Sequence, residues 1–289
     1  MQAIIMSAYR DFEELSRLLD IYSKDFNCYV HIDKKSNFSD TQHLEILNKK
    51  KNVSAISLYE IKWGSYLHLL ALHRLLAMAT ENKENTRFHI ISDADFPVRP
   101  YSEFENFFNE NEHNYIEVTD ITDMPVMQKR YKIFHLQHIL DRKSKNKLIV
   151  IIDKVIRNLQ YAIGVKRKTS YAYKGLVWGS ITREAAEICI KYLTPERILN
   201  LKYCENSEEF WLTNAILGSK LKDTVITDNL RYAVWDDENV NGPRVLNIND
   251  LKKIESSNAF FARKVTEHDD PLYKALQERF NGSDRVGVG

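Results

Sequence analysis

An α/β fold with a mostly parallel central sheet flanked by helices is the class this sequence predicts. Apolar runs of strand length alternate with amphipathic runs of helix length through the first third of the chain. Two of the apolar runs stop on aspartate, and no internal repeat, low-complexity tract or Gly-rich linker breaks the pattern. "AIIMSAY" (3–9) reads as a buried strand, "DFEELSRLLDIYS" (11–23) as an amphipathic helix and "CYVHID" (28–33) as a strand ending on a carboxylate. "VSAISLY" (53–59) is a third strand, "SYLHLLALHRLLAMA" (65–79) a strong helix and "RFHIIS" (87–92) another strand. The resulting βαβαβ order implies parallel pairing under helical crossovers, and ligands of such sheets sit beyond the carboxyl ends of the strands. Asp33, Asp93 and Asp95 fall there. The second half is less regular: a strand at 115–119, helices within 132–162, a strand and turn entering a helix over 173–190, and a buried helix at 210–217. One continuous domain over 1–289 is expected.

Composition limits what the fold can do. With 289 residues, 44% hydrophobic and 11% aromatic, the chain can bury a large core. Its 41 basic and 40 acidic residues nearly cancel, so there is no overall pull toward nucleic acid and an anionic partner must meet a local patch. Cys28, Cys189 and Cys204 are widely spaced and form no CxxC, which fits reduced buried thiols and a reducing compartment. "MQAIIMSAYR" lacks the features of a signal peptide and "LIVII" (148–152) is too short to span a bilayer, so a soluble protein that is not secreted by a standard route is expected. No GxGxxG, GxxxxGK[ST], GxSxG or HExxH is present, and nine glycines are too few for the usual phosphate-wrapping loops. His68, His73, His135 and His138, the last two on one expected helix face, read as packing or surface histidines because no carboxylate stands at ligand spacing.

Several local signals remain. "FNCYVHIDKKS" sets Asp33, Lys34 and Lys35 directly after a strand, and "KWGSYLHLL" sets Trp63 and Gly64 before a helix that Ser65 could cap. In "CENSEEFWLTNAIL" (204–217), Asn206 and Glu209 have capping-box spacing, and a glutamate in a first helical turn is held ionised, as a general base must be. The stretch 229–265 carries Arg231, Trp235, Arg244, Arg263 and Lys264, cations able to neutralise a diphosphate. Asp93 and Asp95 in "HIISDADFPVRP" (89–100) have either a metal-binding spacing or ordinary structural work. Finally, 141–168 holds nine basic and two acidic residues around apolar runs, the pattern of a helix on an anionic membrane surface or of a core helix with solvated lysines.

In "VHIDKKS", "KWGSYLHLLAL", "IISDADFPVRP", "GLVWGSITREAAE", "NSEEFWLTNAIL", "LRYAVW" and "FFARK", taken in that order, the chain resembles glycosyltransferase family 14, the core-2/I-branching β-1,6-N-acetylglucosaminyltransferases and protein xylosyltransferases. The resemblance implies a GT-A-like, Rossmann-type fold with a nucleotide-binding half (1–125) and an acceptor and catalytic half (126–289). It implies an inverting transfer of N-acetylglucosamine or xylose from a UDP-sugar to a glycan or lipid-linked glycan, with no divalent metal or other cofactor. By the same likeness Glu209 is the catalytic base, with Glu208 its nearest rival. Asp33, Trp63, Arg244 and Lys264 meet the donor, and Asp95, Trp178, Trp235, Arg130 and Tyr131 meet the acceptor. Asp93 departs from the family pattern, which speaks against a metal there; the alternatives are a metal-dependent GT-A transferase outside this family using Asp93 and Asp95, and a carbohydrate-binding relative without turnover. Animal members have a membrane anchor and many cysteines, so the expectation for this chain is a cytoplasmic enzyme, free or peripheral on the inner face of the membrane.

Overall fold

The computed structural model describes residues 1–236 and 242–281. Residues 237–241, inside the cation-rich stretch singled out above, lie outside the described residues. The chain begins β1 (Gln2–Ala8), α1 (Phe12–Tyr22), β2 (Phe26–Ile32), α2 (Thr41–Asn48), β3 (Val53–Ile56), α3 (Tyr66–Glu81), β4 (Arg87–Ser92). It continues through β5 (Asp95–Pro97), α4 (Tyr101–Asn109), β6 (Asn114–Ile116), β7 (Thr119–Asp120), α5 (Pro125–Lys132), α6 (Lys147–Ala162), β8 (Tyr173–Lys174) and β9 (Gly179–Thr182). The remainder is α7 (Arg183–Tyr192), α8 (Pro195–Lys202), α9 (Trp211–Leu217), β10 (Val225–Ile226), β11 (Arg231–Ala233), α10 (Leu251–Ser256), β12 (Phe261–Arg263) and α11 (Pro271–Asn281).

Seven strands form the main sheet in the order β10-β6-β9-β4-β1-β2-β3. The strands β4, β1, β2 and β3 pair in parallel, as the alternating sequence pattern predicts, whereas β9 runs antiparallel to both β4 and β6. Period-two alternation divides β1 between two cores: Ile4, Met6 and Ala8 face one, Ala3 and Ile5 the other. The first core takes Leu15, Leu18, Leu19 and Tyr22 of α1, one stripe at helical spacing behind the N-cap Asp11, whose side chain accepts from the Glu14 amide. The second takes Leu69, Leu72, Leu75 and Leu76 of α3, each completely buried and each stabilising by about 1.5–3 kcal/mol. All three cysteines are buried free thiols.

Two sequence expectations change. Within 132–162 only α6 is helical beyond Lys132, where α5 stops; the segment before Lys147, which ends in the polar run "DRKSKN", is irregular, so His135 and His138 do not share a helix face. The strand expected at 115–119 is split, β6 pairing in the main sheet and β7 pairing with β8.

Register gathers distant segments at one sheet edge. Because β9 is antiparallel, its first residue Gly179 lies opposite Ile90 of β4 and Ile116 of β6. Trp178 and Glu117 therefore emerge at the edge where β2 ends at Asp33 and β4 runs into Asp93. A three-stranded sheet β11-β12-β5 closes over that edge and pairs Arg263 with Asp95.

Candidate active site

Each of the three strand-end aspartates already has structural work. Asp33 Oδ1 accepts from the Lys35 amide at 3.0 Å and the Ile61 amide at 3.1 Å, tying the end of β2 to the loop that carries Trp63. Asp93 Oδ2 accepts from the amides of Tyr9 (2.8 Å) and Arg10 (3.0 Å), and burial raises its pKa against those two hydrogen bonds. Asp95 Oδ2 accepts from the Ser92 amide (2.7 Å) and hydroxyl (2.6 Å) and lies 3.6 Å from Arg263 Nη1. Asp93 Oδ1 and Asp95 Oδ1 are buried without a partner. Among the described residues, no three His, Cys, Asp or Glu side chains converge on a point that could hold a metal.

The carboxylate wall is built from residues 204–210. Asn206 does not cap a helix: it is left-handed (φ 48°) with no side-chain bond to a helix amide. Its amide donates instead to the carbonyl of Gly64, whose own φ is 69°. A Cβ at residue 64 would be strained at this positive φ and would push aside the side-chain ends of Asn206 and Gln137, so glycine is favoured where these two loops touch. Ser65, expected as the cap of α3, makes no side-chain cap bond either.

Glu209 is held ionised by side chains, where the sequence suggests free helix amides. Its Oε2 accepts from Arg130 Nη1 (2.8 Å) and Lys174 Nζ (3.3 Å), and its Oε1 from Asn206 Nδ2 (3.1 Å). Burial alone would raise its pKa, but the Arg130 hydrogen bond and charge, with Lys174 and Asn206, outweigh burial and lower it. Its neighbour Glu208 is placed differently: Oε1 lies 3.5 Å from His68 Nδ1, and Oε2 is buried with no partner. His68 Nε2 in turn meets Ser7 Oγ at 3.2 Å. Glu117, which the sequence reading overlooks, is a third carboxylate on this wall, with its pKa raised by burial and by Glu209 against the pull of Lys174.

The opposite wall is cationic. Burial, then the charges of Arg263, Lys143 and Arg10, lower the pKa of Lys264. Arg263 stacks on Trp178 at 4.4 Å, and its buried Nε and Nη1 make no hydrogen bond. Lys143 lies over the Trp63 ring at 4.5 Å, bringing that aromatic to the same wall. Arg244, expected on the diphosphate, is held by Asp250 through Nη1 (2.8 Å) and Nη2 (2.6 Å), so its charge is already matched. Arg231 is structural: its guanidinium bonds Ser180 Oγ and the Gly179 carbonyl, and burial lowers its pKa to about 9.

Between the walls is a cavity of about 160 Å³ lined by Glu117, Trp178, Asn229, Trp235 and Arg263 among others. Trp235 is 55% exposed at its mouth, as an aromatic that packs on sugar would be. Tyr131 is not available to an acceptor: it is only 3% exposed, with its ring against Tyr171 and Phe210. Arg130, beside it, reaches Glu209. A far larger cleft of about 1100 Å³ lies between residues 166–171 and 192–203, and it includes none of the residues expected in the site. Volume is the weaker guide here, since the smaller cavity is the one that joins a carboxylate, two indoles and an arginine with unpartnered donors.

A family model described as Core-2/I-Branching enzyme matches residues 3–255. Among curated proteins, the β-glucuronosyltransferase GlcAT14A of Arabidopsis thaliana is 22% identical over 301 residues, covering 96% of this chain. The chain spans 64% of that relative's length. Among solved structures, HddC from Yersinia pseudotuberculosis overlaps with a TM-score of 0.31 at 10% identity, over 65% of this chain and 79% of that one. HddC complexed with GMP-PN gives 0.30 at 12% identity over the same shares of the two chains. These two overlaps carry no argument, and the fold rests on the strand order and register above.

Proposed function

The chain belongs to the Core-2/I-branching enzyme family, and from that membership we propose that it is a glycosyltransferase acting on a UDP-sugar donor and a glycan or lipid-linked glycan acceptor. One observation supports the assignment to these residues: Arg263, whose Nε and Nη1 make no hydrogen bond, lines the same cavity as Glu117, a carboxylate close enough to Glu209 for that charge to raise its pKa.

In the proposed reaction the acceptor hydroxyl gives its proton to Glu209 while its oxygen bonds the anomeric carbon from the face opposite UDP. The carbon–oxygen bond to the diphosphate breaks, and UDP leaves with the electron pair, inverting the centre. Lys264 and Arg263, backed by Arg10 and Lys143, offset the charge that grows on the leaving phosphate, the task a divalent cation performs elsewhere. Arg244 contributes only if it exchanges Asp250 for phosphate. Asn206, Lys174 and Arg130 occupy three of the roughly four lone-pair directions of the Glu209 carboxylate, leaving one for a hydroxyl. A carboxylate held this low is ionised but weakly basic, so the acceptor gains most if its arrival displaces Lys174 or Arg130. The orphan oxygens of Asp93 and Asp95 support a metal-dependent alternative.

Substitution Glu209→Gln tests the base directly. UDP binding, read by thermal shift, is retained, and transfer falls by about two or more orders of magnitude. Retained turnover moves the role to Glu208. Activity that survives EDTA supports the cation wall, and activity lost to EDTA and restored by manganese supports the two aspartates. A donor panel of UDP-N-acetylglucosamine, UDP-xylose and UDP-glucuronic acid identifies the sugar. The first two follow from the sequence resemblance and the third from the name of the Arabidopsis relative.

A further inference from the structure

Helix α6 is attached to the protein by its polar side. Of its side chains only Asp153 and Gln160 are buried. Asp153 Oδ2 accepts from Arg142 Nε and Arg157 Nε, both at 2.9 Å, and Gln160 pairs with the backbone amide and carbonyl of Phe134 at 2.8 and 2.9 Å. Its apolar residues face out instead. Leu148, Ile151, Ile152, Val155, Leu159 and Ile163 recur at helical spacing in one stripe, with exposures from 48% at Ile152 to 67% at Ile163. A surface helix ordinarily turns such a stripe inward, and a contiguous exposed apolar patch marks an interaction site.

Charge identifies the occupant. Lys145, Lys147, Lys154, Lys166 and Lys168 are exposed around the stripe, and among the described residues none of them is paired with a carboxylate. Of the two acidic residues in 141–168, Asp153 is buried and doubly paired, so it does not offset the lysines. We propose that this face of α6 seats the protein on an anionic lipid surface, with the stripe in the acyl boundary and the lysines on headgroup phosphates. A second copy of the chain fits less well, because a two-fold contact would set the lysines of one patch against those of the other. No helix among the described residues is long and apolar enough to cross a membrane, so the helix would lie on the surface.

Arg142 gives the seating a consequence for the site. It bonds Asp153 of α6 and also pairs with Glu205, in the same loop as Glu208 and Glu209. Lys143, beside it, reaches the cation wall.

Vesicle flotation with the full chain tests this without reading transfer, so failure here leaves the proposed reaction standing. The protein is expected to float with phosphatidylcholine vesicles containing phosphatidylglycerol at low salt, and at least about tenfold less with phosphatidylcholine alone. V155D/L159D, on exposed positions, is expected to keep the wild-type melting curve and lose flotation by a similar factor, and K147E/K154E to lose the preference for anionic vesicles. Absence of flotation, equal flotation with neutral vesicles, or flotation undiminished in V155D/L159D overturns the inference. So does light scattering that finds a wild-type dimer which V155D/L159D separates.

Discussion

The two walls of the cavity hold similar cations in opposite states of balance. On the carboxylate wall, Arg130 and Lys174 converge on Glu209, and the charges are largely matched within the protein. On the other, the charges of Arg263, Lys143 and Arg10 add to burial in lowering the pKa of Lys264. Asp95 Oδ2 lies 3.6 Å from Arg263 Nη1 and the charge of Asp93 meets that of Arg10, so these carboxylates offset part of that charge. The first wall matches its charges internally, whereas in the proposed reaction the second meets the donor diphosphate. Positions on the first wall should therefore report mainly on folding and on proton transfer, and positions on the second on ligand affinity.

The sharpest way to break this contrast is Arg130→Met, which strips a buried carboxylate of its main partner. Removing one member of a buried pair costs about 3–5 kcal/mol, seen as a large fall in melting temperature with UDP affinity little changed. The pH dependence has a definite sign. Glu209 has a depressed folded-state pKa, so its contribution to stability is present above the ordinary carboxylate value and is lost as pH falls through the lower folded value. In Arg130→Met burial remains and its main counterweight is gone, so the acid limb of both stability and kcat/KM moves to higher pH.

Lys264→Ala should do the reverse, weakening UDP binding by about tenfold or more, equivalent to ~1.4 kcal/mol, while the unliganded protein melts no lower. Calorimetry with UDP and a melting curve without it give the two readouts. If the unliganded variant melts well below wild type, the cations are not in conflict and the contrast fails. A smaller effect follows from screening: raising salt from about 50 to 500 mM should weaken UDP binding several-fold in the wild type and less in Lys264→Ala, with little effect on the Glu209 acid limb. The smallest change is expected from Lys174→Met, whose contact with Glu209 is longer, 3.3 Å against 2.8 Å for Arg130.

Much of the fold was legible because it depends on local periodicity. The buried strands β1, β2 and β4 and the helices α1 and α3 stand where alternation and helical spacing put them. The three-residue strands β5, β11 and β12 have no such signature, since only pairing with one another makes them strands. The site divides the same way. Asp33, Asp93 and Asp95 were accessible from the rule that ligands meet strand ends, whereas Trp178 precedes β9 and came only from the family resemblance. Arg10 and Glu117 obey that rule too, one following β1 and the other β6, and could have been found by it. The surroundings of Glu209 could not, because Arg130 and Lys174 reach it from other parts of the chain and Asn206 adopts a left-handed turn in place of a cap. Lys143 was hidden inside a basic run whose composition spoke only of a surface.

The close approach of Gly64 to Asn206 ties two parts of the protein that a designer would wish to alter separately. Trp63 precedes Gly64, Asn206 lies three residues before Glu209, and the left-handed turn at Gly64 is where the two loops meet. Grafting a new loop over 60–65 should carry its cost to the segment that holds Glu209, so redesign of either segment in this scaffold calls for exchanging both together.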